Sequence, residues 1–100
     1  MNRLDNFSWL EDWYHAQCDG DWEHQYGVKI DTLDNPGWTV QIDLTGTRYS
    51  EIQNRRLLDE HNTELDWIVC EIKEGKFWGH GGPKQLGRIL QVFRNWIENY

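Results

Sequence analysis

Residues 38–45, Trp38-Thr39-Val40-Gln41-Ile42-Asp43-Leu44-Thr45, decide the fold because apolar and polar side chains alternate through the whole stretch. Successive side chains of a β-strand point to opposite faces, so this period predicts a strand with one face on a core and the other in water. Residues 28–33 alternate in the same sense, and Asp34-Asn35-Pro36-Gly37 separates the two stretches with four turn-forming residues. We therefore predict a β-hairpin over residues 28–45.

The segments after the hairpin are predicted from weaker patterns. Residues 45–47 predict a turn, residues 48–52 a weak third strand, and the polar residues 53–64 the tail of that strand followed by a solvated loop. Residues 65–73 carry apolar side chains on both faces, which is typical of a central strand covered on both sides. After a tight turn at 74–76, a short strand ends in the glycine-rich bend Gly79-His80-Gly81-Gly82-Pro83.

Helical periodicity is found at both ends of the chain. Between residues 4 and 17 an apolar stripe predicts a helix that Asp5 or Asn6 caps and that ends near Cys18. Its residues are Phe7, Leu10 and Tyr14, with Trp9, Trp13 and Ala16 on an adjoining face. From residue 84 onward a second helix places Leu86, Ile89, Leu90, Phe93 and Ile97 on one face.

The order of these elements predicts an α+β domain, in which an N-terminal and a C-terminal helix pack on an antiparallel sheet of four to five strands. One hundred residues make a single domain, residues 1–100. Both helices on one sheet face, or one on each, are compatible with the pattern. The two-sided apolar segment at 65–73 favours more than one layer over the sheet.

Composition limits the classes of partner. A formal charge of −7 repels phosphate backbones and attracts basic proteins, so we expect a protein partner and no nucleic acid. Residues 1–5 contain no apolar signal region and no stretch has the length of a membrane span, which predicts a cytoplasmic protein without membrane contact. Cys18 and Cys70 are expected to be reduced and buried. Seven Trp residues supply much of the core or, alternatively, a binding surface.

The chemistry-bearing residues concentrate between Gln17 and Gly27. Asp19, Asp21, Glu23 and His24 bind a metal or transfer protons if their side chains converge, since a carboxylate beside an imidazole exchanges protons near neutral pH. If they diverge, the acids lie in water while Trp22 fills the core. The second interpretation is favoured.

Other enzyme-like sets lack a diagnostic spacing. They are the thiol–imidazole pair Cys18 and His24, the ligand set His15, His24 and Asp21, and His80 in the glycine-rich bend. That bend precedes a helix but lacks the lysine and hydroxyl of a phosphate-binding loop. We therefore expect no catalysis and no cofactor. The requirements of a binding module are met more easily, by aromatic anchors at Trp22 and Trp78 with His80 in an acidic setting.

These same motifs resemble the immunity protein 53 family. The resemblance rests on residues 17–24, on Gly27-Val28, on residues 32–38, on Asp66-Trp67 with Cys70, and on residues 77–83, and it extends from about Leu10 to Trp96. It implies a bacterial immunity protein that is encoded beside a polymorphic toxin and protects the producing cell by neutralising that toxin. The family signature then falls on Asp19, Asp21, Trp22, Glu23 and His24, for which it implies a role in toxin binding.

The leading hypothesis is therefore a toxin-binding inhibitor with no cofactor and no turnover, which covers a basic surface such as the cleft of a nuclease. The predicted toxin-binding residues are Asp19, Asp21, Trp22, Glu23, His24, Trp78 and His80. The first alternative is a small enzyme or metal-binding protein that uses the segment from Cys18 to His24. The second is a homo-oligomeric domain whose Trp residues form a self-interface. The sequence does not distinguish a monomer from a homodimer.

Overall fold

The computed structural model describes residues 5–50 and 53–100, which form five strands and three helices. In chain order these are α1 (Asn6–Gln17), α2 (Trp22–Gln25), β1 (Val28–Leu33), β2 (Gly37–Asp43), β3 (Arg55–His61), β4 (Trp67–Lys73), β5 (Lys76–Gly81) and α3 (Leu86–Glu98). The strands make one antiparallel sheet in the order β1-β2-β5-β4-β3. The predicted α+β class, with a helix at each end of the chain, is confirmed.

The predicted hairpin is strands β1 and β2. Val28 pairs with Ile42 and Thr32 with Trp38, and a turn at residues 34–36 joins the strands. Val40 and Ile42 are fully buried, whereas Thr39, Gln41 and Asp43, which alternate with them, are only half-buried. The two faces of β2 thus differ as its period-two pattern predicts, whereas no residue of the edge strand β1 is buried and Ile30 is 39 % exposed.

Both long helices pack on the same face of the sheet. The Phe93 ring of α3 lies 5.0 Å from that of Phe77 in β5 and 5.1 Å from that of Trp13 in α1. Gly79 makes room for α3, because a Cβ there would lie 2.3 Å from Cγ2 of Ile89. One aromatic cluster therefore joins both helices to the centre of the sheet. We call the opposite side of the sheet the open face.

The prediction that residues 65–73 form a strand covered on both sides is wrong for the described residues. Strand β4 is interior to the sheet, but only Ile68, Cys70 and Ile72 are buried beneath the helices. Trp67 is half-buried on the open face, where its ring stacks on that of His61 in the neighbouring strand. Its apolar surface is covered by a side chain from the next strand rather than by a second layer.

The third strand is misplaced in the sequence-based prediction. Residues 48–50 form a turn, and residues 51–52 lie outside the described residues. The strand is instead β3, which lies within residues 53–64, the segment predicted as the tail of a strand followed by a solvated loop. It is a polar edge strand with a bulge between Arg56 and Leu58, and Arg56 forms an ion pair of 3.5 Å across the ladder with Glu71. A bulge shifts the alternation of faces by one residue, which explains why no period-two pattern is visible there.

Helix α1 begins and ends where the sequence predicts, within the described residues, although Leu4 lies outside them. The Asp5 carboxylate accepts a hydrogen bond of 2.7 Å from the Ser8 backbone N–H, and Cys18 is the C-terminal cap. Its buried residues are Leu10 and Trp13. The predicted stripe is therefore rotated, because Phe7 and Tyr14 are 55 % and 38 % exposed. None of the described helices is long and apolar enough to cross a membrane.

Candidate functional site

Two of the three acids between Gln17 and Gly27 hold the backbone of that segment. Asp19 Oδ1 accepts hydrogen bonds of 2.9 Å from the backbone N–H groups of Asp21 and Trp22. Glu23 accepts bonds of 2.9 Å from the N–H groups of Asp19 and Gly20. These bonds satisfy the backbone N–H groups of the three residues before α2 and of Trp22, its first residue, so they hold the segment that leads into the helix.

The same bonds keep both carboxylates charged. The backbone N–H groups of Trp22 and Asp21 lower the pKa of Asp19 below its ordinary value. Hydrogen bonds from backbone N–H groups, first its own and then that of Asp19, lower the pKa of Glu23. Because a lowered pKa disfavours proton uptake, neither group is suited to act as a general acid or base at neutral pH.

Trp22 lies in the core beneath this segment. Its side chain is 3 % exposed, and its indole Nε1–H donates a hydrogen bond of 3.0 Å to the carbonyl oxygen of Thr45. Its ring makes an edge contact of 6.2 Å with Trp13 and lies 5.8 Å from the ring of Tyr14. The indole therefore fixes α2 to the loop after β2.

His24 lies elsewhere, on the rim of a surface cleft of about 600 Å³. The cleft is formed where α1, the segment after α2 and the ends of β1 and β2 meet. It is lined by Leu10, Glu11, Tyr14, His24, Gln25, Tyr26, Gly27, Val28, Lys29 and Asp43. His24 is therefore exposed at the cleft, whereas Trp22, two residues before it in the sequence, is buried in the core.

Charge is unevenly distributed along the chain, and the cleft belongs to the acidic part. Residues 5–43 carry nine acids and one base, Lys29, whereas residues 44–100 carry eight of each. Ion pairs in the second segment join Arg88 to Glu60 and Arg94 to Glu98. In the first segment Glu11, Asp12, Asp21, Asp31 and Asp34 form no ion pair with a described residue. These five of the nine acids of this segment are therefore without an ion-pair partner among the described residues, whereas Asp43 pairs with Lys76.

Trp78 and His80 lie on the open face, because they alternate with Phe77 and Gly79 along β5. Their rings stack at 6.0 Å. The Nδ1 atom of His80 is 3.1 Å from Oγ1 of Thr39, and burial lowers the pKa of His80 below its ordinary range. The imidazole is therefore mainly neutral at pH 7.

A chain of contacts connects the cleft to this aromatic pair. Asp43, which lines the cleft, accepts a hydrogen bond of 2.9 Å from the Gly27 N–H and lies 3.8 Å from the Lys76 ammonium. The ammonium in turn lies 5.9 Å from the centre of the Trp78 ring. These contacts link the cleft to the aromatic pair on the open face through Asp43 and Lys76.

The enzyme-like sets do not assemble. The Cys18 thiol is 3.4 Å from the carbonyl oxygen of Tyr14 and forms no hydrogen bond with His24. Burial raises the pKa of the Cys70 thiol to about 12, which makes it inert as a nucleophile. Within residues 5–50 and 53–100, no group of three His, Cys, Asp or Glu side chains is placed to hold a metal ion.

The family model of immunity protein 53 matches residues 7–98, which is nearly the whole chain. The chain belongs to the immunity protein 53 family. The resemblance found from the sequence motifs is confirmed, and family membership implies an immunity protein. No curated protein and no solved structure matches the chain.

Several residues that line this family member's cleft are not distinguished by the local sequence. Glu11, Tyr14, Tyr26 and Asp43 line the cleft, but none of them is among the predicted site residues. The charge segregation at residue 43 is visible in the sequence and would have drawn attention to Glu11. The cleft itself depends on how three separate elements meet, so no local pattern could have shown it.

Proposed function

We propose that this member of the immunity protein 53 family binds a cognate toxin in the cytoplasm of the producing cell and neutralises it by occlusion. The family match over residues 7–98 carries the proposal. The inhibitor acts as a folded surface, with no cofactor and no turnover.

The unpaired negative charge of residues 5–43 indicates the kind of surface that is covered. A toxin that cleaves nucleic acid needs a basic substrate cleft, since that cleft must attract phosphates. An acidic inhibitor is attracted to the same basic cleft as the nucleic acid, and this long-range attraction makes its association rapid. A nuclease is therefore the class of toxin that the charge distribution favours.

The seven residues predicted from the sequence divide into two roles in this proposal. Direct contact is assigned to the side chains that reach the surface, which are Asp21, His24, Trp78 and His80. A supporting role is assigned to those that build the α2 segment, which are Asp19, Trp22 and Glu23. Half-buried rings such as Trp78 are typical anchors of protein interfaces, while exposed acids chiefly govern encounter.

Co-expression with the product of the adjacent toxin gene tests the proposal. Survival of the cells, together with a stable complex purified from them, is the expected result. Survival without a complex would instead indicate catalytic removal of the toxin or its product. Loss of rescue by a chain that folds normally would contradict the proposal. Light scattering on the free chain and on the complex would at the same time show whether either is a homodimer.

A further inference from the structure

The cleft at the junction of α1, α2 and β1 is an open groove with an apolar floor and an exposed rim. Leu10 and Val28 lie at its base, whereas Glu11, Tyr14 and His24 are exposed around it. A site for a small molecule usually encloses most of the ligand surface. A groove of this kind instead fits one or two side chains that project from the surface of another protein.

The aromatic wall of the groove is held in place from inside the molecule. The Tyr14 ring lies 5.8 Å from that of Trp22, which is itself fixed through its hydrogen bond to Thr45. Gly46 packs on the same indole, since a Cβ there would lie 3.1 Å from its Cδ1. A wall that is ordered before binding loses little conformational entropy on binding, and aromatic faces attract cations.

Charge selects the occupant of the groove. Glu11 is exposed on the α1 wall and forms no ion pair with a described residue, and it belongs to the segment that carries nine acids and one base. Lys29, the base of that segment, lines the groove from β1. A cation entering the groove is therefore drawn toward Glu11 and Tyr14 and away from Lys29.

We infer that this groove receives a lysine- or arginine-bearing segment of the toxin, with the cation at Glu11 and the Tyr14 ring. The inference rests on the proposed function and names the surface that performs it. Arg is especially suited to the groove because its planar guanidinium both stacks on a ring and bonds to a carboxylate. Contact then extends across Asp43 and Lys76 to Trp78 on the open face.

The test uses the full chain and the purified product of the adjacent toxin gene. Glu11→Lys reverses the charge in the groove, and Tyr14→Ala removes its aromatic wall. Glu64→Lys is the matched control for charge, because Glu64 is an exposed acid beside Pro36 and Trp67, at the other end of the β1–β2 hairpin. Tyr100→Ala is the matched control for an exposed tyrosine outside the groove. Thermal melting establishes that each variant is folded.

The expected result is a rise in Kd of about 10-fold or more for Glu11→Lys and for Tyr14→Ala, with changes below about threefold for both controls. If the wild-type chain binds and protects while both groove variants bind equally well, the groove is not the contact and the inference fails, although the proposed function stands. Equal losses in Glu64→Lys and Glu11→Lys would also overturn it, since net charge alone would then explain binding. If the wild-type chain itself neither binds nor protects, the proposed function fails and the inference fails with it.

Discussion

Asp43 and Lys76 form an ion pair of 3.8 Å at the point where the acidic cleft meets the open face of the sheet. They are directly opposite each other in the ladder between β2 and β5, so the pairing of the strands brings them together. Through this pair Asp43, which lines the cleft, is connected to Trp78 on the open face, although the two residues are far apart in sequence. The exposed residues on either side of this ion pair and the core beneath them should respond differently to substitution.

Trp22→Ala is expected to destabilise the fold by about 3–5 kcal/mol, because it empties a buried site of a large ring. Trp22→Phe keeps a ring but loses the hydrogen bond to Thr45, which should cost about 1–2 kcal/mol. Urea unfolding at pH 7 gives both values. A Trp22→Ala chain that unfolds cooperatively at the wild-type urea concentration, yet no longer binds toxin, would instead identify Trp22 as an interface anchor.

Replacing each of two glycines by alanine should change the stability of the fold in opposite directions. A Cβ at Gly82 would lie 1.9 Å from the carbonyl oxygen of Leu65, so Gly82→Ala should lower the free energy of unfolding by about 2–3 kcal/mol. Gly87, in the first turn of α3, has nothing within 4 Å of the added atom, and Gly87→Ala should raise stability by about 0.5 kcal/mol. Thermal melts of the pair give the comparison. A neutral Gly82→Ala would show that the segment around Leu65 moves aside freely.

Stability should depend on the charge of Asp19 in a defined direction. Its folded pKa is lowered by hydrogen bonds from Trp22 and Asp21, so the carboxylate stabilises the fold above its ordinary pKa of 3.8. Asp19→Asn should therefore lower Tm at pH 7. The difference in Tm between the wild-type chain and Asp19→Asn should begin to narrow near pH 4, and it should narrow further as the pH falls through the lowered pKa of Asp19 in the folded state.

Asp21→Asn is the control for this measurement, because the Asp21 side chain makes no capping hydrogen bond to α2. Asp21→Asn should therefore change Tm at pH 7 less than Asp19→Asn does. A difference in Tm between Asp19→Asn and the wild-type chain that does not narrow toward low pH would show that the charge of Asp19 does not stabilise the fold through these hydrogen bonds.

Unpaired acids of residues 5–43 should accelerate association with the toxin. Replacing Asp12 and Asp21 by Asn should reduce the association rate constant roughly threefold at low ionic strength, with little effect at about 0.5 M salt. Stopped-flow measurements at several salt concentrations show how steeply the association rate constant falls with salt in the wild-type chain and in the variant. The control is Glu64→Gln with Glu74→Gln, which removes the same charge from the neutral part of the chain. Equal slowing in the two double variants would contradict a local steering role.

Trp78 should contribute to the stability of the complex rather than to its rate of formation. Trp78→Ala is expected to raise Kd about 10-fold, mainly through faster dissociation. Trp38→Ala is the matched control, since the Trp38 and Trp78 rings are both half-buried. The Trp78 indole donates a hydrogen bond to the carbonyl of Lys73, and the Trp38 indole donates one to the carbonyl of Pro83. Comparable losses of affinity in the two variants, measured at matched folded fractions, would show that Trp78 does not contribute specifically to the interface.

The segments predicted correctly are those whose hydrophobic period is regular. Strand β2 and helix α3 each present apolar side chains at a single spacing, so the buried face is identified from local sequence. Strand β1 pairs with β2 as predicted, but none of its residues is buried. Strand β3 was missed because its bulge interrupts the period and because its open face is polar. Helix α1 was located correctly but rotated, since aromatic residues occupy more than one of its faces.

The candidate site was predicted only in its parts. The residues from Asp19 to His24 were recognised, but whether their side chains converge depends on distances that spacing does not encode. The structure turns Asp19 and Glu23 toward backbone N–H groups, buries Trp22 and leaves His24 on the rim of the cleft. Four neighbouring residues therefore have three different environments.

The sequence by itself determined the α+β class, the hairpin, both terminal helices and an excess of acids in residues 5–43, because these follow from local period and composition. Only the tertiary structure decided that both helices cover the same sheet face, that β3 pairs at the edge, and that Asp43 meets Lys76 beside the cleft. The physical reason is that periodicity shows which face of an element avoids water. Which other element covers that face is decided by packing between residues distant in the chain.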